Sequence, residues 1–438
     1  MDLGTLSTIR VAASDLNGQM RGKRLPSSDF EKLAKGGARM PLSALNLDIQ
    51  GADIVDSPLV FETGDADGML LPTGRRPLPM PWLENPSALV PMTLHHDDGT
   101  PFDGDPRHAL ARVLERYKAR GWDVHAATEM EFYLVDDSGD AMVPARNPIT
   151  GRAMTGDATL GINELDAFDA FFTDLYDGCA AMDIPAQAAI SEAGHGQFEI
   201  NLLHRDALSA ADDAYFFKAL TKGIARKHGL AATFMAKPFA DDAGNGMHVH
   251  FSVVDQNGNN VFDNGGPEGT DLMRHAVGGC LTAMPPSTLI FVPHGVSYNR
   301  MVPGAHAPTG AGWAYENRTA AIRIPGGSHK ARRIEHRVAC GDINPYLILA
   351  SILGAAMVGI EDEMDPGDPL SGNAYEIELP QLAGDWATAI NVFEQSDINK
   401  RIFPALLIEN LCNTKRQELQ RMADVPEDEL WKIYIDAV

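Results

Sequence analysis

Cysteine is scarce in this chain of 438 residues, and no two cysteines are close enough to form a CxxC pair. Cys179, Cys280, Cys340 and Cys412 are scattered, which fits neither a zinc knuckle nor a disulfide framework. Residues 1–16, MDLGTLSTIRVAASDL, show no basic region followed by an apolar one, so we expect no secretory signal. Together these features predict a cytoplasmic protein.

Long apolar runs and basic residues are also in short supply. No apolar stretch approaches the roughly 20 residues that span a bilayer. The chain has 36 Lys and Arg against 60 Asp and Glu, a net charge of −24. Such a surface repels nucleic acid and anionic membranes and attracts cations, including amines. We therefore expect neither nucleic acid nor a membrane as a partner, and any phosphate ligand requires a local cluster of arginines.

The pattern of apolar residues divides the chain into two domains. Residues 1–103 consist of short apolar pieces separated by Gly, Pro and Asp, which predicts a small β-rich domain. After the loop TPFDGDP, Leu110, Val113, Leu114 and Tyr117 follow a helical period. Residues 104–438 then mix strands with helices and contain no internal repeat. We expect one large α+β domain there, with the boundary between residues 103 and 104.

The common phosphate-binding motifs are absent. The segment GQMRGKR has the wrong spacing for a P-loop and lacks Ser or Thr after the lysine, and no GxGxxG opens a helix. No GxSxG is present either. The arginines in SYNR, ENRTAAIRIP and RRIEHR remain, namely Arg300, Arg318, Arg323, Arg333 and Arg337. Guanidinium groups near divalent metals suit phosphoryl transfer, in which negative charge must be stabilised.

Four predicted strands have one apolar face and one face of charged or metal-ligating side chains. Because alternate residues share a face, the second set comprises Glu129, Glu131 and Tyr133; Gln197 and Glu199; His248, His250 and Ser252; and Arg333, Glu335 and Arg337. Any one of these faces is most simply a solvated surface. Together they contain hardly any lysine, and clustered glutamates repel one another unless cations neutralise them. The combination favours Mg²⁺ or Mn²⁺.

A loop of about 20 residues, VSYNRMVPGAHAPTGAGWAYEN, joins two apolar segments. A mobile connector is one interpretation of this loop. The neighbouring arginines favour another, in which the loop is a lid that covers a binding site.

The chain resembles glutamine synthetases over nearly its whole length. Five motifs carry the resemblance in the family's order: TEMEFYL, SEAGHGQFE, KPFADDAGNGMHVHFS, NRTAAIRIP and RRIEHR. It implies an α+β fold with a small N-terminal β-grasp domain and a catalytic domain built on an open, barrel-like antiparallel sheet flanked by helices. It also implies a homo-oligomer, a dodecamer of two hexameric rings, in which each active site is completed by the neighbour's N-terminal domain.

The resemblance assigns roles to particular residues. One metal ion would be held by Glu131, Glu192 and Glu199, and a second by Glu129, His248 and Glu335. Nucleotide binding falls to His250, Ser252, Arg318, Arg323 and Arg333. Glutamate binding falls to Gly244, Asn245, Arg300 and Arg337. The implied reaction uses ATP and Mg²⁺ or Mn²⁺: ATP phosphorylates the side-chain carboxylate of glutamate, and an amine then displaces phosphate.

Two departures concern the amine. Where the family has a lid glutamate in a PGxEAP context, this chain reads PGAHAP, with His306 in that place. An imidazole traps ammonium less well than a carboxylate does, which favours an organic amine. The segment LDIQG keeps Asp48 but lacks the serines of the family's ammonium loop. We expect His306, Asp48 and Arg318 to be catalytic. Asp48 and Glu316 are candidates to attract a second ammonium group, although Glu316 is more simply a structural partner for an arginine.

The segments DLNGQMRGKRLP, LDIQGAD and PTGAGW are most similar to the γ-glutamylputrescine synthetase branch of the family. This similarity predicts γ-glutamylation of putrescine or another polyamine. Three alternatives stay open: a ligase for a monoamine such as methylamine or ethanolamine, a glutamine synthetase that uses ammonium, and a non-catalytic oligomeric homologue. The presence of all six implied metal ligands argues against the last.

Overall fold

The computed structural model describes residues 6–34, 38–154, 156, 158–302 and 307–438. The first part forms a mixed sheet in the order β2-β1-β6-β4-β3, with β5 added to β6. Its elements are β1 Thr8–Ser14, β2 Met20–Pro26, α1 Phe30–Ala34, β3 Ala38–Pro41, α2 Pro58–Phe61, β4 Asp67–Pro72, β5 Leu78–Pro79 and β6 Ser87–His95. The two long strands β1 and β6 run parallel, while the other pairs run antiparallel.

A second sheet follows in the order β13-β14-β15-β12-β7-β10-β9, with β8 and β11 paired to β7. Its strands are β7 Trp122–Asp136, β8 Val143–Pro144, β9 Ala186–Ser191, β10 Gln197–Asp206, β11 Ala231–Thr233, β12 Met247–Asp255, β13 Trp313–Tyr315, β14 Ile322–Ile324 and β15 Ile334–His336. The fifteen residues of β7 make it the centre of the sheet. The predicted α+β class with a barrel-like sheet is confirmed.

One strand pair departs from the antiparallel expectation. Strands β13 and β14 run parallel although only six residues separate them. Glu316, directly after β13, has a φ of 56°, a left-handed conformation that turns the chain sharply. Residues 317–321 then bring the chain back to start β14 in the same direction.

Helices cover the apolar face of the second sheet. They are α3 Pro106–Lys118, α4 Ile162–Ala167, α5 Asp169–Met182, α6 Ala207–Lys227, α7 Asp271–Ala283, α8 Thr288–Phe291, α9 Pro345–Glu361, α10 Trp386–Gln395, α11 Asp397–Ile402, α12 Ala405–Met422 and α13 Leu430–Tyr434. Two of these helices follow each other directly, because α4 ends and α5 begins at Phe168. Among the described residues, no helix combines the length and apolar character needed to cross a membrane.

Phe132 illustrates how β7 anchors the core. Its fully buried ring lies 5.7–6.3 Å from the rings of four other phenylalanines, Phe171, Phe198, Phe217 and Phe234. Burying a side chain of this size contributes roughly 1.5–3 kcal/mol. Met130 is equally buried, so the alternation of β7 fixes Glu129 and Glu131 on the opposite face.

Candidate active site

Strand register brings the acidic side chains of three strands together. On one side of β7, Glu131 pairs with Glu199 of β10. On the other side, Glu129 pairs with His248 of β12. The row continues outward because His250 pairs with Glu335 of β15, and Glu335 pairs with Arg323 of β14. Residues more than 200 positions apart in the sequence thus share one polar face.

Glu129 lies at the centre of this face. Its carboxylate accepts hydrogen bonds from His248 Nδ1 at 2.7 Å and from His250 Nε2 at 2.8 Å. Burial alone favours the neutral carboxyl, but the two histidine hydrogen bonds outweigh it and hold the pKa of Glu129 below its ordinary value. Glu129 is therefore an anion that two neighbouring imidazoles already orient.

Glu335 occupies a second buried position. Its carboxylate accepts from Arg323 Nη1 at 2.9 Å and from Arg337 Nη1, and it lies 4.0 Å from His248 Nδ1. Burial raises the pKa of Glu335, yet the charge of Arg337 and the nearby histidines bring it below the ordinary value. The carboxylate joins the arginines to the acidic row.

Two groups of side chains offer ligand atoms within 4.8 Å of one another: Glu129, Glu199 and His248, and Glu129, His250 and Glu335. Carboxylate oxygens with one imidazole are a donor set that suits a hard divalent cation. The grouping differs from the one that the resemblance implies, because Glu129 belongs to both groups and Glu199 lies with Glu129. Glu131 is adjacent, and its carboxylate accepts from the Gly246 amide at 2.6 Å.

Glu192 and Glu199 are less easily ionised than Glu129. Burial, followed by the negative charges of Glu129, Glu131 and Glu192, raises the pKa of Glu199 to about 9. Burial and the charges of Glu131 and Glu129 raise the pKa of Glu192 to about 7, with Arg318 acting in the opposite direction. A divalent cation would reverse this penalty, because it favours the ionised carboxylates.

We expect Mg²⁺ to raise the melting temperature more at about pH 9 than at about pH 6. In the metal-free protein, Glu192 and Glu199 have a higher pKa in the folded state than the 4.5 of a carboxyl in the unfolded chain. Their contribution to the stability of the fold is therefore complete below pH 4.5, and it disappears as the pH rises through about 7 for Glu192 and about 9 for Glu199. Mg²⁺ relieves the repulsion that deprotonation creates. Thermal melting with EDTA or Mg²⁺ at matched ionic strength measures the difference, and Glu199→Gln should reduce it. An equal Mg²⁺ effect at both pH values contradicts this electrostatic account.

The predicted nucleotide-binding arginines differ in their surroundings. Arg323 bridges Glu335 and Glu316, the latter at 3.4 Å. Arg333 Nε donates to His250 Nδ1 at 3.3 Å. Arg318 is exposed and lies close enough to Glu192 to lower its pKa. All three guanidinium groups are thus near acidic or imidazole members of the site.

The two arginines predicted to bind glutamate adjoin the acidic face at different points, because Arg337 donates to Glu335 and Arg300 packs against the loop that precedes β12. Arg300 Nη1 donates to the Val338 carbonyl at 3.2 Å. Gly244 is required for this position, because a Cβ there would lie 2.8 Å from Arg300 Cγ. A Cβ at Gly246 would lie 2.6 Å from Arg300 Nη2. The glycines in GNGMH therefore let the Arg300 side chain lie directly against the loop.

The side-chain amide of Asn245, which was predicted to bind glutamate, is bonded to other groups of the protein. Its amide nitrogen donates to the carbonyls of Thr233 and Met235, at 3.3 and 2.9 Å, and its amide oxygen accepts from Gln197 at 3.0 Å. The side chain is fully buried. These bonds favour a role in holding the loop between β11 and β12 over direct contact with glutamate.

Asp48 is anchored away from the acidic row of its own chain. Its carboxylate accepts from the backbone amides of Gln50 and Ala52, from Gln417 at 3.0 Å, and from Arg421. Although burial opposes ionisation, these bonds lower its pKa.

Glu316 accepts from the Gly326 amide as well as from Arg323, as expected for a structural partner of an arginine. His306 lies outside the described residues.

A cleft of about 920 Å³ opens along the polar face. Four residues of the predicted site line it, namely Glu129, His250, Ser252 and Arg333. Asn201 also lines it and donates to Glu199 at 2.8 Å. The alternation from Gln197 and Glu199 continues to Asn201, so extending that pattern by one position would have identified it.

Tyr375 was also missed by sequence reasoning. Burial raises its pKa, while the charges of Arg337 and Arg300 act against this, which places the ring near both arginines. The turn that carries it is tied to residues near Arg318 by Asn317, which donates to the Gly372 carbonyl at 2.7 Å, and by Thr319, which accepts from the Ala374 amide at 2.9 Å. No sequence motif marks a contact of this kind.

Comparison with known proteins agrees with the geometry. Residues 103–434 match the family model described as glutamine synthetase, catalytic domain. The chain is 37% identical over 404 residues to γ-glutamylputrescine synthetase PuuA of Escherichia coli, covering 90% of this chain and 84% of that protein. It is 32% identical over 440 residues to glutamate–isopropylamine ligase of a Pseudomonas species, covering 95% and 92%. A solved structure of GmaS in complex with ADP superposes with a TM-score of 0.84 at 28% identity, covering 99% of this chain and 97% of that one.

The chain therefore belongs to the glutamine synthetase family. Its relatives form amide bonds between glutamate and an amine, and the protein is a glutamate–amine ligase of the glutamine synthetase type.

Proposed function

We propose that this ligase transfers the γ-glutamyl group to an organic amine, with putrescine or a related polyamine as the preferred acceptor. The observation that carries the proposal is the similarity to the E. coli γ-glutamylputrescine synthetase over 90% of the chain. His306, in place of the family's lid glutamate, supports it because a carboxylate would hold ammonium better than an imidazole does. The net charge of −24 favours the approach of a dication.

The proposed reaction has two steps. A side-chain oxygen of glutamate attacks the γ-phosphorus of ATP, which gives ADP and γ-glutamyl phosphate. The amine nitrogen then attacks the acyl carbon and loses a proton, and inorganic phosphate leaves. Phosphorylation is needed because a free carboxylate has no good leaving group. His306 would orient or deprotonate the incoming amine.

The polar face supplies groups for each partner in the first step. Arg318, Arg323 and Arg333 would bind the nucleotide phosphates, and Arg300 and Arg337 the carboxylates of glutamate. Divalent cations, Mg²⁺ or Mn²⁺, would be held by Glu131, Glu192 and Glu199 and by Glu129, His248 and Glu335, and would supply neutralising charge to the phosphates. The residues fit such ions, because burial, together with the crowding of the neighbouring carboxylates, raises the pKa of Glu199, and a counter-charge would remove this penalty.

A monoamine is the second candidate for the acceptor. The similarity to the Pseudomonas glutamate–isopropylamine ligase covers 95% of this chain. Asp48 also favours this candidate, because its charge is already compensated by Arg421 and it is a poor anchor for a second ammonium group.

In the assembly we expect a dodecamer of two hexameric rings, in which the neighbour's N-terminal residues complete each site. The cytoplasmic location also remains a prediction.

An amine panel tests the proposal. With ATP, glutamate and Mg²⁺ held constant, phosphate release and product mass are measured for putrescine, spermidine, isopropylamine, ethanolamine, methylamine and ammonium. We expect kcat/KM for putrescine to exceed that for ammonium by at least about a hundredfold, because a binding site for the carbon chain contributes a few kcal/mol. A preference for isopropylamine would support the second candidate. If ammonium at millimolar concentration exceeds every organic amine, the argument from His306 is wrong.

A further inference from the structure

Residues 47–55, between β3 and α2, are held by side chains of α12 from the opposite end of the sequence. Gln417 contacts this segment through both atoms of its amide group. The amide nitrogen donates to the Asp53 carbonyl at 2.9 Å and to Asp48 Oδ2 at 3.0 Å, and the amide oxygen accepts from the Val55 amide at 2.9 Å. One side chain of the helix thus satisfies backbone groups of an irregular segment, which fixes the course of the chain there.

A buried ion pair on the same helix adds a second attachment. The Lys415 ammonium donates to Glu418 Oε2 at 2.9 Å, and both side chains are at most 1% exposed. The other oxygen, Glu418 Oε1, accepts from the Ile49 amide at 2.7 Å and from the side-chain amide of Asn17 at 2.8 Å. Glu418 therefore joins α12 to the buried side of the segment and to the turn between β1 and β2.

The carboxylate of Asp48 is fully occupied by contacts within the chain. Oδ1 accepts from the backbone amides of Gln50 and Ala52, at 3.1 and 2.9 Å, and Oδ2 accepts from Gln417 and Arg421. An ionised carboxylate has about four lone-pair sites for hydrogen bonds, and all of them are in use here. Asp48 therefore organises the turn of the segment and links it to α12.

The outer side of the segment stays open. Gln50, Asp53 and Val55 are exposed. The Asp53 carboxylate gives this side a negative charge, which suits a cationic amine. The contacts with α12 thus bury one side of the segment and present the other side outward.

We propose that Gln417 and Arg421, supported by Glu418, are positioning residues for the amine. They hold residues 47–55 in the place from which the outer side of this segment completes the acceptor site of a neighbouring copy. The inference rests on the proposed function, in which the neighbour's N-terminal residues complete each site. Helix α12 then controls amine capture without touching substrate, and Asp48 belongs to the same support.

Steady-state kinetics with the best acceptor of the amine panel tests this role. We expect Gln417→Met and Arg421→Met each to raise KM for the amine roughly tenfold and to leave kcat and KM for ATP within about twofold, because only the amine meets the segment. Arg421→Lys should keep KM close to the wild-type value, since it retains a charged donor for the segment. Arg416→Met is the matched control, because Arg416 lies on the same helix but pairs with Glu394 of α10, at 2.6 and 2.8 Å.

Hybrid oligomers test whether the segment acts on the neighbouring copy. Arg421→Met is co-expressed with Glu335→Gln, which removes a carboxylate of the polar face, and complexes that contain both are isolated with two different affinity tags. An Arg421→Met copy has an intact polar face and can receive an intact segment from a Glu335→Gln neighbour. We therefore expect part of the activity of the hybrids to show the wild-type KM for the amine. A raised KM throughout would contradict the proposed assembly.

The outcomes separate this inference from the proposed function. Unchanged KM for the amine in both methionine variants overturns it. An equal rise in KM for the amine, ATP and glutamate also overturns it, because α12 would then support the fold as a whole and not the acceptor site. A wild-type protein that uses no organic amine contradicts the proposed function itself.

Discussion

Glu335→Gln should lower ligase turnover by roughly a thousandfold or more, because the buried carboxylate has two functions at once. It is a candidate cation ligand together with Glu129 and His250. It is also the anion between Arg323 and Arg337. The amide has nearly the same shape but cannot neutralise either a divalent cation or the two guanidinium groups. The loss of activity should therefore be accompanied by a loss of Mg²⁺-dependent stabilisation by ATP.

The measurement for this variant combines steady-state phosphate release with thermal melting in the presence of Mg²⁺ and ATP. Glu409→Gln is the matched control, since Glu409 is exposed on α12. We expect the control to behave as the wild type does in both assays. A Glu335→Gln protein that melts normally, keeps the stabilisation by ATP and turns over at more than a tenth of the wild-type rate would contradict the role of Glu335.

Arg323→Met should lower kcat by about a hundredfold or more, with a smaller effect on KM for glutamate. The side chain is largely buried and bridges Glu316 and Glu335. Its charge is therefore held in place before substrate binds, as stabilisation of a transferring phosphoryl group requires. Methionine preserves much of the side-chain volume and removes the charge. Arg323→Lys should recover only part of the activity, because a single ammonium group cannot reproduce the planar fork of a guanidinium.

Initial rates over a matrix of ATP and glutamate concentrations separate kcat from the two KM values. Arg152→Met is the control, since Arg152 is exposed. If the main effect of Arg323→Met is on KM for glutamate, then Arg323 acts on the acceptor of the phosphoryl group and not on the nucleotide.

The strand alternation made much of the polar face predictable. Glu129, Glu131, His248 and His250 lie in strands where buried, mostly apolar residues occupy every second position, and this burial forces the charged side chains to the other face. The pattern around Glu335 is weaker, because His336 takes one of the alternate positions. The sequence pattern could not show which strands are neighbours. That order follows from long-range pairing, and it determines that Glu129 contacts two histidines and that Glu335 contacts Arg323.

Other features carry too little local signal. Helix α9, the most deeply buried one, was not predicted, because PYLILASILGAAMVGI is apolar on all sides and therefore has no helical period. The bulge between Leu202 and Arg205 of β10 adds one residue to the strand without any characteristic sequence. The pairing of Asp48 with Arg421 joins residues 373 positions apart. The boundary between residues 103 and 104 also stays a prediction.

We propose that the carboxylates and imidazoles of this face hold divalent cations opposite the arginines assigned to the nucleotide phosphates. Crystals grown with Mn²⁺ and ADP, measured at a wavelength where manganese scatters anomalously, test it most directly. We predict two anomalous peaks, one beside Glu131, Glu192 and Glu199 and the other beside Glu129, His248 and Glu335. Manganese bound elsewhere on the acidic surface, with no peak within reach of Glu129, would contradict the account.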